Sequence, residues 1–226
     1  DLVAVKSRLF ARRNDPGREF LDMWRVENGK FVEHWDIIQP ISREAIDRGM
    51  LACGAGLTYE AAKALKDTAD NPTCGKSNPH ADSKANRKLV LDYLKLEDRA
   101  GKQAKSAAAY VSPGFVQHSP EIAPGRKGLL AYLAANRAAR RTDGRMQYVR
   151  HVIADGDLVM VHRWVTTRSN PRGTVYIDLF RVKRGKIGEQ WQIVQPVPPF
   201  SVAGRSMTGG ADTPLEPDRR KGSPDQ

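Results

Sequence analysis

The hydrophobic pattern of this chain runs in two periods. In Asp157 to Thr167 (DLVMVHRWVTT), Thr174 to Lys183 (TVYIDLFRVK) and Lys186 to Gln195 (KIGEQWQIVQ), β-branched and aromatic residues alternate with polar ones, which predicts three antiparallel strands. Arg168 to Gly173 is a polar loop, Arg184-Gly185 a tight turn, and Pro196 and Pro198 end the run because proline cannot donate to a ladder. A fourth strand, Met146 to Ile153, precedes them across an Asp155-Gly156 hairpin turn, with Met146, Tyr148, Arg150 and Val152 expected on one side. Further upstream the period lengthens to that of a helix. Ser83 is placed to cap a helix from Lys84 to about Arg99, Lys102 to Val111 is an Ala-rich second helix, and Arg126 to about Arg141 a third. Between the last two, Ser112-Pro113-Gly114 turns into a short strand, Phe115 to His118. Helices set before a meander predict an α+β fold in which a curved antiparallel sheet has one face covered by three helices and encloses a hollow.

The strand pattern occurs twice. Asp1 to Ile41 aligns without a gap with Asp157 to Val197 at an offset of 156, and 17 of the 41 positions are identical, among them Asp22/Asp178, Arg25/Arg181, Gly29/Gly185, Glu33/Glu189, Trp35/Trp191 and Gln39/Gln195. A match of this length marks a duplicated unit. It predicts strands at Leu2 to Arg12, Glu19 to Glu27 and Lys30 to Gln39, with Asn28-Gly29 as a turn. The expected organisation is the C-terminal strands of a truncated domain in 1–41, a connector in 42–82 with a candidate helix at Tyr59 to Ala69, a complete domain in 83–200, and a tail in 201–226 expected to be disordered beyond about Met207. Three strands are marginal alone in water. Residues 1–41 are therefore expected to lie against the sheet of 146–197, an intramolecular sheet-to-sheet pair; a homodimer would cover the same faces.

Composition changes this picture little. No run of about 18 apolar residues exists, so no membrane-spanning helix is expected. Of the net charge of +11, much lies between Lys84 and Arg150, where 14 basic residues face 5 acidic ones. These charges sit in helical patterns without a nucleic-acid-binding signature, so they read as solvated helix faces, and nucleic acid is not an expected partner. Cys53 and Cys74 are expected to form a disulfide closing a loop of about 20 residues, worth roughly 3 kcal/mol, which would suit an oxidising compartment. The alternative is two unrelated thiols in a cytoplasm, and both localisations stay open.

Strand alternation sorts the polar candidates. Met160, His162 and Trp164 share one face of their strand, Tyr176, Asp178 and Phe180 share one, and Glu189, Trp191 and Ile193 share one. Placed together, they put His162, Asp178 and Glu189 in an aromatic surround, the arrangement that proton transfer on a bound molecule needs. The competing readings are structural: Asp178 pairs with Arg163 or Arg181, His162 is a satisfied sheet histidine, Trp191 and Trp35 are core, and Glu189 faces solvent. His118 ends its strand before Ser119-Pro120 and is expected at a rim. No phosphate-binding loop, metal-ligand set or nucleophile elbow is present, so neither a metal nor a cofactor is expected.

The string Gln117-His118-Ser119-Pro120 resembles the Q-H-N-P box of SnoaL-like proteins, in the nuclear-transport-factor-two-like superfamily. Asp178-Leu179-Phe180-Arg181-Val182, Gly185-Lys186-Ile187 and Glu189-Gln190-Trp191 resemble the D-x-F-R-V … G-K-I-x-E-H-W-D signature of that group, and Val161-His162-Arg163-Trp164 its V-H-x-x-W strand. The first copy keeps the last box as Glu33-His34-Trp35-Asp36, whereas Gln190 and Gln192 replace its His and Asp in the second. The resemblance implies a cone-shaped sheet around a pocket for a small apolar or carbonyl-containing molecule. In SnoaL-type cyclases it implies a cofactor-free aldol condensation. By position, Asp178 would be the acid or base with His162 beside it, His118 and Gln195 would hold polar ligand atoms, and Trp164, Tyr176, Glu189 and Trp191 would line the pocket. A non-catalytic ligand-binding or scaffold domain is the alternative, and epoxide hydrolysis a third option.

Overall fold

The computed structural model describes residues 1–12, 15–42, 77–99, 101–119, 122–135, 143–199 and 206–209. Cys53, Cys74, the candidate helix at 59–69 and the tail beyond 209 lie outside the described residues. In chain order the elements are β1 (Leu2–Leu9), β2 (Arg18–Glu27), β3 (Lys30–Pro40), α1 (Ser83–Glu97), α2 (Gln103–Tyr110), β4 (Val111–Gln117), α3 (Gly125–Ala135), β5 (Met146–Asp155), β6 (Leu158–Thr166), β7 (Thr174–Lys183) and β8 (Lys186–Pro196). The fold is α+β, with three helices over a five-stranded sheet of order β4-β8-β7-β6-β5 and a separate sheet of order β1-β2-β3.

Local chemistry sets the element ends. Asp82, not Ser83, caps α1, accepting from the Ala85 amide at 3.0 Å. Ser83 enters the first turn, and its hydroxyl accepts instead from the Gly156 amide at 2.8 Å, tying the helix to the β5–β6 turn. The turns Asn28-Gly29 and Arg184-Gly185 both take positive φ at each residue, 51° and 73° in the first, 52° and 67° in the second. That is the backbone of a two-residue hairpin whose twist matches its strands.

Three irregularities shape the larger sheet. The short strand begins earlier than expected, at Val111, and pairs parallel to β8. Five residues separate Val111 from Val116, against two between their partners Ile187 and Glu189, so the Pro113-Gly114 stretch bulges out of the ladder. A second bulge lies at Arg150, between the pairs Val149↔Arg163 and His151↔His162. It breaks the alternation expected along β5: Tyr148 stands opposite Trp164, but Val152 stands opposite Val161, on the other face. The third separates Arg181↔Glu189 from Val182↔Ile187.

Each face of the larger sheet has its own core. On one, Val159, Val161, Phe180, Val182 and Ile187 pack under Val90, Tyr93 and Leu94 of α1, Ala107 of α2, and Leu129 and Leu133 of α3. On the other, Met160, Val175, Ile177 and Ile193 meet Leu21, Met23, Trp35 and Ile37 of the smaller sheet. This second contact is nearly reciprocal. Gln39 accepts from the Val194 amide at 2.8 Å, and Gln195, at the offset of 156, accepts from the Ile38 amide at 2.7 Å. Equivalent positions thus meet across a pseudo-two-fold axis, as in an isologous interface.

His151 and His162 also lie between the sheets. Their Nδ1 atoms are 3.1 Å apart, and the His151 ring centroid is 4.5 Å from that of Trp35. One ring must donate and the other accept, so two imidazolium ions cannot share this contact. Burial first, then His151 and Arg150, lowers the His162 pKa from 6.5 to about 3. The His151 pKa is lowered too, by burial and then by Arg25.

Truncating Trp35 to Ala should cost about 3–5 kcal/mol, read from urea unfolding; an unchanged midpoint would mean that the sheets contribute nothing to each other. The histidine pair sets an acid limit. The unfolded chain takes up the His162 proton near pH 6.5, while the folded chain refuses it until about 3. The stabilisation is therefore complete above 6.5 and declines as the pH falls from 6.5 towards 3, by at most about 1.4 kcal/mol per pH unit for this proton. His162→Leu should flatten that decline; an equally steep acid limb in the variant would assign it to other groups.

Candidate active site

Register decides which polar groups can meet. Along β6 and β7, Val161 stands opposite Asp178, and His162 opposite Ile177. Opposed residues share a face, so Asp178 shares one with Val159, Val161 and Arg163, while His162 belongs to the other. The expected Asp178–His162 pair is therefore not made: Asp178 lies under the helices and His162 between the two sheets. The strand alternation holds, but the face of β6 joined to the Asp178 face of β7 is the opposite of the one expected. The loop between the strands fixes that choice, because a shift of one residue exchanges the faces.

Asp178 is fully buried and meets several donors. Arg163 Nε donates to Oδ2 at 2.7 Å, with a terminal guanidinium nitrogen on the same oxygen, and the amides of Gln190 and Gln192 donate to Oδ1 at 2.7 and 2.9 Å. Gln190 accepts in turn from Gln117 at 3.3 Å. Arg163 also donates to Gln147 at 2.8 Å, and its guanidinium lies 5.3 Å from the centre of the Tyr176 ring. Burial alone would lower the Arg163 pKa; the charges of Asp178 and Glu97 and the hydrogen bond to Asp178 outweigh it and raise the value. The centre is a desolvated ion pair.

This cluster forms the floor of a cavity of about 200 Å³. Arg163, Tyr176, Gln190 and Gln192 come from the sheet, Tyr93, Leu94 and Glu97 from α1, and Leu129, Tyr132 and Leu133 from α3. Asp143, Thr167 and Asn170 line it from the loops. The lining is mixed: aromatic and aliphatic side chains from α1 and α3 face polar and charged ones, among them Glu97, Asp143, Arg145 and Arg163, and the space is on the small side for a ligand site.

Of the residues expected at the pocket, Tyr176 lines the cavity and Asp178 lies directly behind its floor. Trp164 stacks on Tyr148, at a centroid distance of 5.0 Å, on the opposite face, and its indole donates to the Arg172 carbonyl. Trp191 is buried on that same face and stacks on His118 at 5.0 Å. His118 contacts Glu189 at 2.9 Å, and Glu189 contacts Arg181 at 3.3 Å, so these three residues form their own cluster away from the cavity. Burial would raise the Glu189 pKa, but His118 and Arg181 outweigh it and lower it. Gln195 is engaged by β3. These five positions lie with His162 on the other face of the sheet, the strand residues among them for the same reason of parity. Arg163, named from the sequence only as a structural partner of Asp178, is the principal one; Arg181 pairs instead with Asp157 at 2.8 Å. Glu97 and Tyr132 went unnoticed because helical patterning marks a buried face without showing where that face borders a void.

Replacing Arg163 with Met should destabilise the chain by about 3–5 kcal/mol, because Asp178 would stay buried without its counter-ion. Replacing both, Arg163→Met with Asp178→Leu, should recover most of that loss. Urea unfolding of the three proteins tests this; a double variant no more stable than the single one would show that the pair is not the unit described.

The comparisons follow from this geometry. Residues 96–190 match the family model of the SnoaL-like domain. No curated protein matches the sequence at a significant level. Among solved structures, a candidate SnoaL-like polyketide cyclase from Jannaschia sp. CCS1 is 18% identical, with 53% of this chain and 91% of that one covered at a TM-score of 0.41. IdmH from Streptomyces antibioticus, a candidate polyketide cyclase, is 18% identical over 48% of this chain and 91% of its own, at 0.39. A candidate ketosteroid isomerase from Kribbella flavida DSM 17836 is 18% identical over 54% and 87%, at 0.40. The matched segment, from the end of α1 into β8, is thus similar to the SnoaL-like domain.

Proposed function

We propose that the α1–α3/β4–β8 domain binds a small molecule carrying a carbonyl or comparable acceptor group, with that group directed at Arg163 and its apolar body against Tyr93, Tyr132, Leu129 and Leu133. One observation carries this reading: a guanidinium, held by Asp178, at the floor of a cavity of about 200 Å³ that has an aromatic and aliphatic side formed by Tyr93, Leu129, Tyr132 and Leu133. Asp178 acts here as a positioning residue. It fixes the guanidinium and leaves part of its donor set for a ligand. The cavity limits the ligand to a compact molecule.

Acid/base chemistry on the bound carbonyl compound, of the aldol cyclase or isomerase kind, is the second reading. Asp178 stands on the cavity side of the sheet, which favours it. The cost is that Arg163, Gln190 and Gln192 already occupy both of its oxygens, so one of these contacts would have to open before a ligand could reach it. His162 would act in this reading only through the strand, with no direct contact to the ligand.

A panel of compact aromatic and aliphatic carbonyl compounds, scored by thermal shift and calorimetry on the full chain, tests both readings. A binder is expected whose affinity falls at least tenfold in the Arg163→Met/Asp178→Leu protein. Absence of binding across the panel, or equal binding by that variant, would remove Arg163 from the site. If the bound compound is also turned over and Asp178→Asn abolishes turnover while binding persists, the catalytic reading holds; turnover unaffected by that substitution would exclude Asp178.

A further inference from the structure

Among the described residues, the β1-β2-β3 sheet packs only one of its faces. Leu21, Met23, Trp35 and Ile37 point to the larger sheet. The ladder places Val3 opposite Trp24, Val5 opposite Asp22, Trp24 opposite His34, Asp22 opposite Asp36 and Val26 opposite Phe31, all on the other face. Most of the large hydrophobic residues exposed on the described surface lie on β1 and β3: Val3 at 45%, Val5 at 46%, Leu9 at 57%, Phe31 at 73% and Val32 at 50%. So many apolar side chains on one small sheet mark an interaction surface.

The chain itself indicates what fits there. At the offset of 156, Val3, Val5, Leu9 and Trp24 correspond to Val159, Val161, Val165 and Phe180. Those four are buried, and Val159, Val161 and Phe180 pack under α1, α2 and α3. Among the described residues, the same apolar pattern is thus covered by helices in one sheet and exposed in the other. The charges differ in a way that specifies the cover. In the larger sheet, Asp178 is answered by Arg163 on its own face, with neutral Gln192 opposite. In the smaller sheet, Ser7 takes the position of Arg163 and Asp36 that of Gln192, so Asp22 and Asp36 stand directly opposite each other. His34 contacts Asp22 at 3.0 Å. Burial first, then the neighbouring Asp22, raises the Asp36 pKa. A cover that excludes water from these carboxylates must bring a cation of its own.

We propose that the outward face of the β1-β2-β3 sheet docks an amphipathic helix whose apolar stripe meets Val3, Val5, Trp24 and Phe31 and which carries a Lys or Arg over Asp22 and Asp36. The helix α1 supplies the nearest template. Its apolar stripe, Val90, Tyr93 and Leu94, covers the equivalent positions of the larger sheet, and Glu97 stands near enough to the Asp178–Arg163 centre to act on the Arg163 charge. On a sheet that has Ser7 in place of Arg163, the Glu97 position is where the cation is required.

Two fluorescein-labelled synthetic peptides of residues 83–99, one native and one with Glu97→Lys, titrated into the full chain and read by anisotropy, test this. The Glu97→Lys peptide is expected to bind saturably and at least tenfold more tightly than the native one. That binding should fall at least tenfold in the Val5→Glu chain, and the preference for the lysine form should disappear in the Asp22→Asn/Asp36→Asn chain. Both variants change residues outside the inter-sheet core, so their unfolding midpoints should match the parent. Failure of both peptides to bind, equal binding of a scrambled peptide, or binding unaffected by Val5→Glu would overturn the proposal. So would dimerisation of the chain, by light scattering, that Val5→Glu abolishes: the face would then belong to a second copy.

Discussion

Asp178 has no access to water, and the centre of the larger sheet is arranged around that fact. A carboxylate carried into an interior loses several kcal/mol of solvation, which one ion pair recovers only when the remaining lone pairs are also satisfied. Arg163 supplies the counter-charge from the neighbouring strand, and Gln190 and Gln192 supply amide donors from the strand on the other side. These polar contacts tie three neighbouring strands together at one point of the sheet. The cavity is a by-product of the same arrangement. Side chains occupied with each other across the sheet do not reach up to the helices, and the space left between them and the stripe of Tyr93, Leu129 and Tyr132 stays open.

The opposite face of the same strands solves a different problem. A curved sheet with a second apolar face must bury it, and the smaller sheet does so by placing Leu21, Met23, Trp35 and Ile37 against Met160, Val175, Ile177 and Ile193. Glutamines at both ends finish the contact from either side. His162 is part of this second surface, and its neutrality follows from burial against another histidine rather than from any task in the cavity. The strands therefore serve two clients, and alternate residues of β6 belong to one or to the other.

Strand limits, turns and the offset of 156 were legible in the sequence because each rests on local chemistry: alternation, Gly at positive φ, Pro without a donor. The resemblance to the SnoaL-like domain was legible from boxes within the matched segment, such as Asp178 to Val182. The site was legible only in part. Asp178 and Tyr176 stand on the cavity side of the sheet, but His162, Trp164, Glu189 and Trp191, which an assumed match of faces between strands joins to them, lie on the other side, as do His118 and Gln195. Alternation within a strand says which residues travel together, not which group of the next strand they join; that depends on the loop at 168–173 and on bulges such as the one at Arg150. The earlier start of β4 and its parallel pairing escaped for a related reason, since Pro113 interrupts the pattern that would have announced it.

The two sheets let the role of Arg163 be read by comparison. Asp22 and Asp178 occupy the same position in their strands, and each meets the residue at the first variable site of its E-x-W box, His34 in one case and Gln190 in the other. The Asp22 side chain keeps 21% of its surface exposed, and Ser7 faces it from the neighbouring strand's side of the ladder; Asp178 keeps none, and there the residue is Arg163. The same carboxylate goes without an arginine where water reaches it and has one where helices exclude water. Desolvation is therefore sufficient reason for Arg163, before any ligand is considered. A ligand acceptor that reaches the cavity floor meets a guanidinium whose position the fold had already fixed, so little side-chain ordering is left for binding to supply.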